Sequence, residues 1–177
     1  MATTKMANRY GLNLKFYEYG AEDGAAELVT VDFANEVTLE ITGDMVWATG
    51  GQAHSKMIGF KNPMEGTLTI ATQINTMQLI ALLSGNDPSE ASTSVTFADD
   101  TKRMTPKFYK VTGETVWVDE DGKAHNETIT IYKATPKPNY NVTYAGDGDP
   151  NSIDVEFELG VNKDGEMVTI ERIAEAA

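Results

Sequence analysis

Cysteine is absent from the 177 residues, so neither disulfides nor thiolate zinc sites hold this fold. That absence suits assembly in a reducing cytoplasm. Histidine is scarce, with two residues, and base is scarce beside acid: 14 Lys and Arg against 27 Asp and Glu give a formal net charge of −13. Such a surface repels the phosphate backbone, which argues against tight nucleic-acid binding. The same repulsion is useful wherever DNA must pass without sticking. Long hydrophobic runs are also missing. Around the one helical segment the longest is Leu79 to Leu83, far too short to span a bilayer. The opening residues MATTKMANRYG carry no apolar stretch of the secretory-signal kind. These shortages lead to the expectation of a soluble, acidic protein with no membrane segment.

What is present is a hydrophobic fraction of 41% and 15 glycines, the balance of a turn-rich globular chain with a real core. The length fits a single domain over 1–177. Apolar and polar residues alternate repeatedly, the period of half-buried strands. Leu12, Leu14 and Phe16 share one face, as do Val29, Val31 and Phe33, and again Val37, Leu39 and Ile41. Leu68 and Ile70 alternate with threonines. Further strands are expected over Phe108 to Thr112, Thr115 to Val118, Thr128 to Lys133, Ile153 to Leu159 and Met167 to Ile173, with a strand-like stretch at Tyr140 to Tyr144. Asp121-Gly122 predicts a hairpin turn and Asp164-Gly165 another. The fold class is mainly β, built of antiparallel sheets of the sandwich or barrel-forming kind, with one short flanking helix.

That helix is expected over Thr76 to Ser84. Asn75 can cap it, Gln78 sits where a capping box wants Glu or Gln, and Gly85 followed by Pro88 supplies the stop. Met77, Leu79, Ile80, Leu82 and Leu83 leave hardly any polar stripe. A helix this short is not stable alone, so it must be buried. It either plugs the chain's own sheet or is pressed between that sheet and a neighbouring subunit, and the residues slightly favour the former.

Two segments differ from the rest. Ala48 to Glu65, ATGGQAHSKMIGFKNPME, is a long Gly-containing connection between good strands, and such loops are usually functional. Within an acidic chain it holds Lys56, Met57, Ile58, Phe60 and Lys61, the apolar and basic character of a contact surface. The second, Thr135 to Ser152, is rich in Pro, Gly, Asp and Asn.

Little here supports enzymatic chemistry. His54 lies beside Ser55, but sequence adjacency makes no nucleophile–base pair, and His125 sits at a turn. Phosphate-cradling loops, paired-histidine metal motifs and dinucleotide fingerprints are lacking. Asp147, Asp149, Asn151 and Glu158 have calcium-loop spacing, yet Ser152 replaces the required glycine, Pro150 interrupts, and a strand follows instead of a helix. No metal and no cofactor is expected. The glycosylation-like triplets at Asn126 and Asn141 carry no weight without a secretory signal.

The element order runs from an N-terminal strand pair through EVTLEITGDMVWATGG, the long loop, EGTLTIATQ and the helix INTMQLIALLSGND, and ends with SIDVEFELG and a final hairpin. It resembles the major tail tube proteins of long-tailed bacteriophages and, in broad architecture, the tube proteins of contractile injection machines. The likeness spans most of the chain and lies in element order and sequence character. It implies a tail-tube-like fold in which subunits form hexameric rings that stack into a hollow tube, their strands joined in one barrel around the lumen. It implies that Ala48 to Glu65 reaches the adjacent ring, with Lys56, Met57, Ile58, Phe60 and Lys61 as the contact. The implied partners are further copies of the chain, a tape measure protein and tail-tip or terminator proteins, with DNA passing unbound. The implied location is the tail tube of a virion, assembled in the host cytoplasm.

The strands add one feature of their own. Glu36 to Thr42, Thr67 to Ala71 and Asp154 to Leu159 each have an apolar and a polar face, and the polar faces carry Glu36, Glu40, Asp154, Glu156 and Glu158 among threonines, without Lys or Arg. One face of an antiparallel sheet packs on the core while the other meets water. That water fills a lumen or is simply bulk solvent. Alternatives to a phage tail tube are the tube of a contractile injection or secretion apparatus, and a monomeric β-sandwich that binds a ligand or carbohydrate. The last would expose an aromatic cluster, whereas Trp47 and Trp117 lie in strand patterns of structural character.

Overall fold

The computed structural model describes residues 5–8, 11–32, 34–50, 55–73, 76–88, 93–97, 106–137, 140–142 and 153–174. Among them the chain forms β1 (Met6–Asn8), β2 (Asn13–Glu18), β3 (Val29–Val31), β4 (Ala34–Thr42), β5 (Met45–Gly50), β6 (Ser55–Lys61), β7 (Glu65–Thr72), α1 (Met77–Ser84), β8 (Tyr109–Asp119), β9 (Ala124–Pro136), β10 (Ile153–Gly160) and β11 (Val168–Ala174). The architecture is mainly antiparallel β with one short helix, as the alternation requires.

Nine strands pair into one sheet in the order β3-β2-β8-β9-β10-β7-β4, with β1 added along β8 and β11 along β9, while β5 and β6 pair only with each other. The sheet curls back on itself. Phe16 on β2 and Phe157 on β10 are three strand spacings apart, roughly 14 Å in a flat sheet, yet their ring centroids lie 5.2 Å apart. The bend falls on β9. It pairs with β8 along most of its length but with β10 only through Lys133 to Pro136. Its register against β8 shifts between Tyr109 and Val111, a bulge of the kind that sharpens local twist. Two sheet halves thus face each other as in a sandwich while remaining one ladder.

Alternate residues of β2, β3, β7, β8, β9 and β10 point into the space so enclosed. Leu14 and Phe16, Val29 and Val31, Leu68 and Ile70, Val111 and Ile131, Val155 and Phe157 are all buried there. Leu79, Leu82 and Leu83 of α1 join the same cluster, so the helix is covered by its own chain on that side, while Met77 and Ile80 are half-buried. Thr76 is the N-cap, its hydroxyl accepting from the Leu79 amide at 3.2 Å. The cap is thus one residue later than expected, which leaves exposed Gln78 outside a capping box; Asn75 lies outside the described residues, as does Phe33. The helix stops as expected at Gly85, left-handed at φ 73. Tyr109 is buried with its hydroxyl unpartnered among the described residues, and burial pushes its pKa up to about 12, so it stays neutral.

Two other expectations change. The strands foreseen at Phe108 to Thr112 and Thr115 to Val118 are the single long β8. Asp164-Gly165 does turn the chain, with Gly165 at φ 81, but β10 and β11 do not pair with each other; both lie in succession along one edge of β9. Residues 140–142 are not in a strand.

The Asp121-Gly122 turn joins β8 to β9 as expected, with Gly122 at φ 80. Asp119 organises it: one carboxylate oxygen accepts from the amides of Asp121 at 3.0 Å and Lys123 at 2.8 Å, the other from His125 Nε2 at 2.9 Å. The His125 bond, then the amides, hold the Asp119 carboxyl below its ordinary range. A depressed carboxyl contributes stability above its unfolded pKa, about 3.9, and loses it as pH falls through the folded value. Asp119→Asn should therefore lower the urea midpoint at pH 7, with the gap to wild type closing below about pH 4. A gap independent of pH would place the effect in packing instead of charge.

Candidate assembly surfaces

β4 ends with Thr42 opposite Glu65, the start of β7. Between these paired ends the chain leaves the sheet as an arm. The irregular loop expected over Ala48 to Glu65 is a β-hairpin over its described residues, β5 against β6. Val46, Trp47, Ile58 and Phe60 are strand-favouring residues. Asp44 fixes the base, accepting from the Met45 amide through its side chain at 2.7 Å and from the Asn62 amide through its carbonyl at 2.9 Å. The tip, 51–54 with His54, lies outside the described residues.

Both faces of the arm carry large apolar side chains, one of them with lysines among these. On one, Val46 stands opposite Phe60 and Ala48 opposite Ile58. On the other, Trp47 stands opposite Gly59, where a Cβ would come within 3.0 Å of the indole and of Met45 Cε. Glycine at 59 lets Trp47 and Met45 lie across the strand. The Lys56 ammonium sits 5.6 Å from the centre of the same indole. Met57 is an extra residue, since Ala48 pairs with Ile58 but Thr49 with Lys56. Met57, Ile58 and Phe60 are 68%, 58% and 58% exposed. An isolated hairpin is at best marginally stable in water, and a contiguous exposed apolar patch marks a contact surface.

All five residues expected at the contact, Lys56, Met57, Ile58, Phe60 and Lys61, fall on β6. Met45, Val46 and Trp47 of β5 are exposed beside them. Trp47, expected to be structural, is instead exposed on the arm.

The acidic residues also come together. Cross-strand rows read Glu36–Ala71–Asp154, Thr38–Thr69–Glu156 and Glu40–Thr67–Glu158, the last continuing to Thr135. Because the side-chain period is two, all five carboxylates share the face opposite Leu68, Ile70, Val155 and Phe157. Glu36, Glu40, Asp154 and Glu158 are exposed and Glu156 is half-buried. Across a row the acids stand two strand spacings apart, about 10 Å, close to the screening length at 0.1 M salt. One correction applies: the face is not free of cations. Lys137, just past β9, binds Glu156 at 2.9 Å, and that hydrogen bond raises the lysine pKa against the opposing effect of burial.

Other charged groups serve the fold. Arg172 binds buried Glu127 and lies 4.5 Å over the Trp117 ring. His125 belongs to the Asp119 turn. Asp147, Asp149 and Asn151 lie outside the described residues, and Glu158 faces outward with the acidic rows. Among the described residues no three His, Cys, Asp or Glu side chains converge as metal ligands, and no helix is long and apolar enough to cross a membrane.

No family model and no curated protein matches the chain. Its fold is similar to that of a chain in the cryo-EM structure of the anti-feeding prophage baseplate, 6-fold symmetrised, with a TM-score of 0.56 over 100% of both chains at 12% identity. At that identity the likeness establishes a shared fold. The crystal structure of an Hcp protein overlaps more loosely, with a TM-score of 0.35 at 10% identity over 90% of this chain and 97% of the other, and carries no argument.

Since the arm contributes nothing to the buried cluster, a short turn from Gly43 to Pro63 in its place should preserve the fold. Loop-closure cost changes by only about 0.6 kcal/mol per doubling of length, so stability should shift by no more than about 1–2 kcal/mol. Loss of cooperative thermal unfolding would mean that the arm is part of the core.

Proposed function

We propose that the chain is a self-assembling tube protein of a phage tail or related injection machine, its copies forming six-membered rings that stack into a hollow conduit. The observation that carries this reading is the arm, with large apolar side chains on both faces exposed among the described residues, projecting from a domain with a buried core of its own. β5 alone spans roughly 20 Å at the rise of a strand, enough to lie across a neighbouring ring. The fold shared with a baseplate chain from a 6-fold symmetric assembly supports the ring. Edge strands support lateral closure: among the described residues β4 pairs only with β7, and its nine residues include no Pro or Lys of the kind that blunts an edge. The acidic rows on β4, β7 and β10 then line the bore and let DNA slide past. Tape measure and tip proteins complete the structure in the virion, and the role is structural, not enzymatic. The DNA passage and the virion belong to the phage-tail form of this reading, while a protein-injecting apparatus would use the same rings, arm and bore.

Negative-stain images of purified chain over a concentration series, with and without tail-tip seeds, test the reading. Rings stacked into tubes are expected for wild type, and no stacked tubes for the arm-replaced variant. A strict monomer at every concentration, even when seeded, overturns it.

The bore is tested separately. Glu156 is already countered by Lys137, so the effective change is the pair Glu40→Lys and Glu158→Lys, which flank Thr67 in one row. Assembly should survive, while DNA release slows most at low salt. Each added phosphate contact steepens the salt dependence of log affinity by roughly 0.9. Normal ejection at low salt would mean that this face does not line the passage.

A further inference from the structure

With no thiol in the chain, its oxidisable sulfur is methionine, and the methionines are unevenly placed. Met57, Met45 and Met64 are 68%, 49% and 48% exposed, whereas Met6, Met77 and Met167 are partly shielded; Met1 and Met104 lie outside the described residues. The three exposed thioethers all belong to the arm or its base. Met45 packs beside Trp47 across Gly59, and the Met57 sulfur lies 2.6 Å from where a Cβ on Gly50 would be. These sulfurs are part of the apolar surface the arm presents.

We infer that Met45, Met57 and Met64 form an oxidation site that switches off the arm's contact with a second copy. In the step, a hydroperoxide transfers its terminal oxygen to the thioether: the O–O bond breaks, an S=O bond forms, the sulfur loses two electrons, and the peroxide leaves as water or alcohol. The product is polar and a strong acceptor. Buried against apolar atoms it lacks a donor and opposes docking; left in water it costs nothing. The oxidised chain therefore stays folded and unassembled. In the assembled state the partner copy covers the same sulfurs, so assembly protects them. Methionine sulfoxide reductases restore the thioether and with it the contact. The coupling to assembly rests on the stacking reading above; the location of the oxidation site does not.

The test exposes the native full-length chain, unassembled and assembled, to hydrogen peroxide, maps sulfoxides by peptide mass spectrometry and follows assembly by sedimentation and electron microscopy. Sulfoxide should accumulate at the three arm positions several-fold faster than at Met6, Met77 and Met167, and assembly of the treated chain should fail. Assembled material should be protected at the same three positions, and reductase treatment should recover assembly. In the triple variant Met45→Leu, Met57→Leu, Met64→Leu, which conserves volume and apolarity, peroxide should leave the untreated variant's own level of assembly unchanged. Faster oxidation of Met6, Met77 or Met167 overturns the site. Normal assembly by a fully sulfoxidised arm, or equal peroxide sensitivity in the triple variant, overturns the switch. A chain that never assembles untreated refutes stacking, and the sulfoxide map still decides the site.

Discussion

The contact between Phe16 and Phe157 is the constraint on which the other features depend. It joins strands that a flat sheet would hold apart, so the sheet has to curl, and curling buries most of its apolar face. Leu14, Val31, Ile70, Val111 and Val155 are fully or almost fully buried in that closure together with α1. The outer face is left to water, and there the acids accumulate. The arm is left without a place, since the interior is already filled. Its apolar surface is therefore unlike the scattered exposed leucines of any soluble protein: it is concentrated, two-sided and attached to a core that does not need it.

The strands were legible because their burial is one-sided. Period-2 alternation marks Leu14 and Phe16, Leu68 and Ile70, and Val155 and Phe157 without knowledge of their partners. The acids could be placed on polar faces for the same reason. Their alignment into rows could not be read, because register depends on how β4, β7 and β10 slide past one another. Lys137 was hidden by the same ignorance: it follows β9 in a Pro-flanked stretch and reaches Glu156 only through the β9–β10 pairing.

The arm shows how a strand escapes notice. Apolar residues on both faces of the hairpin blur the alternation, so Ser55 to Lys61 loses the signal that marked the other strands, while Trp47 of β5 lay in a strand pattern and only the end of that strand, from Ala48, was read as loop. Glycines at 50, 51 and 59 made the segment look irregular, although Gly59 is there to let Trp47 and Met45 cross the strand. The helix was legible from composition alone, but its first residue was not: Asn75 and Thr76 are both good caps, and only the backbone selects Thr76.

Because the arm leaves one end of the β4–β7 ladder and, among the described residues, no matching arm leaves the other, a contact it makes with a second copy in the proposed assembly is head-to-tail. A surface and its receptor at opposite ends of one molecule are never both satisfied in a finite stack. Each added layer recreates the binding end that it consumed. Geometry of this kind stores no information about length. If copies stack in the proposed way, such a chain extends a column without ending one, and a defined length is set by a different molecule that caps the last free end.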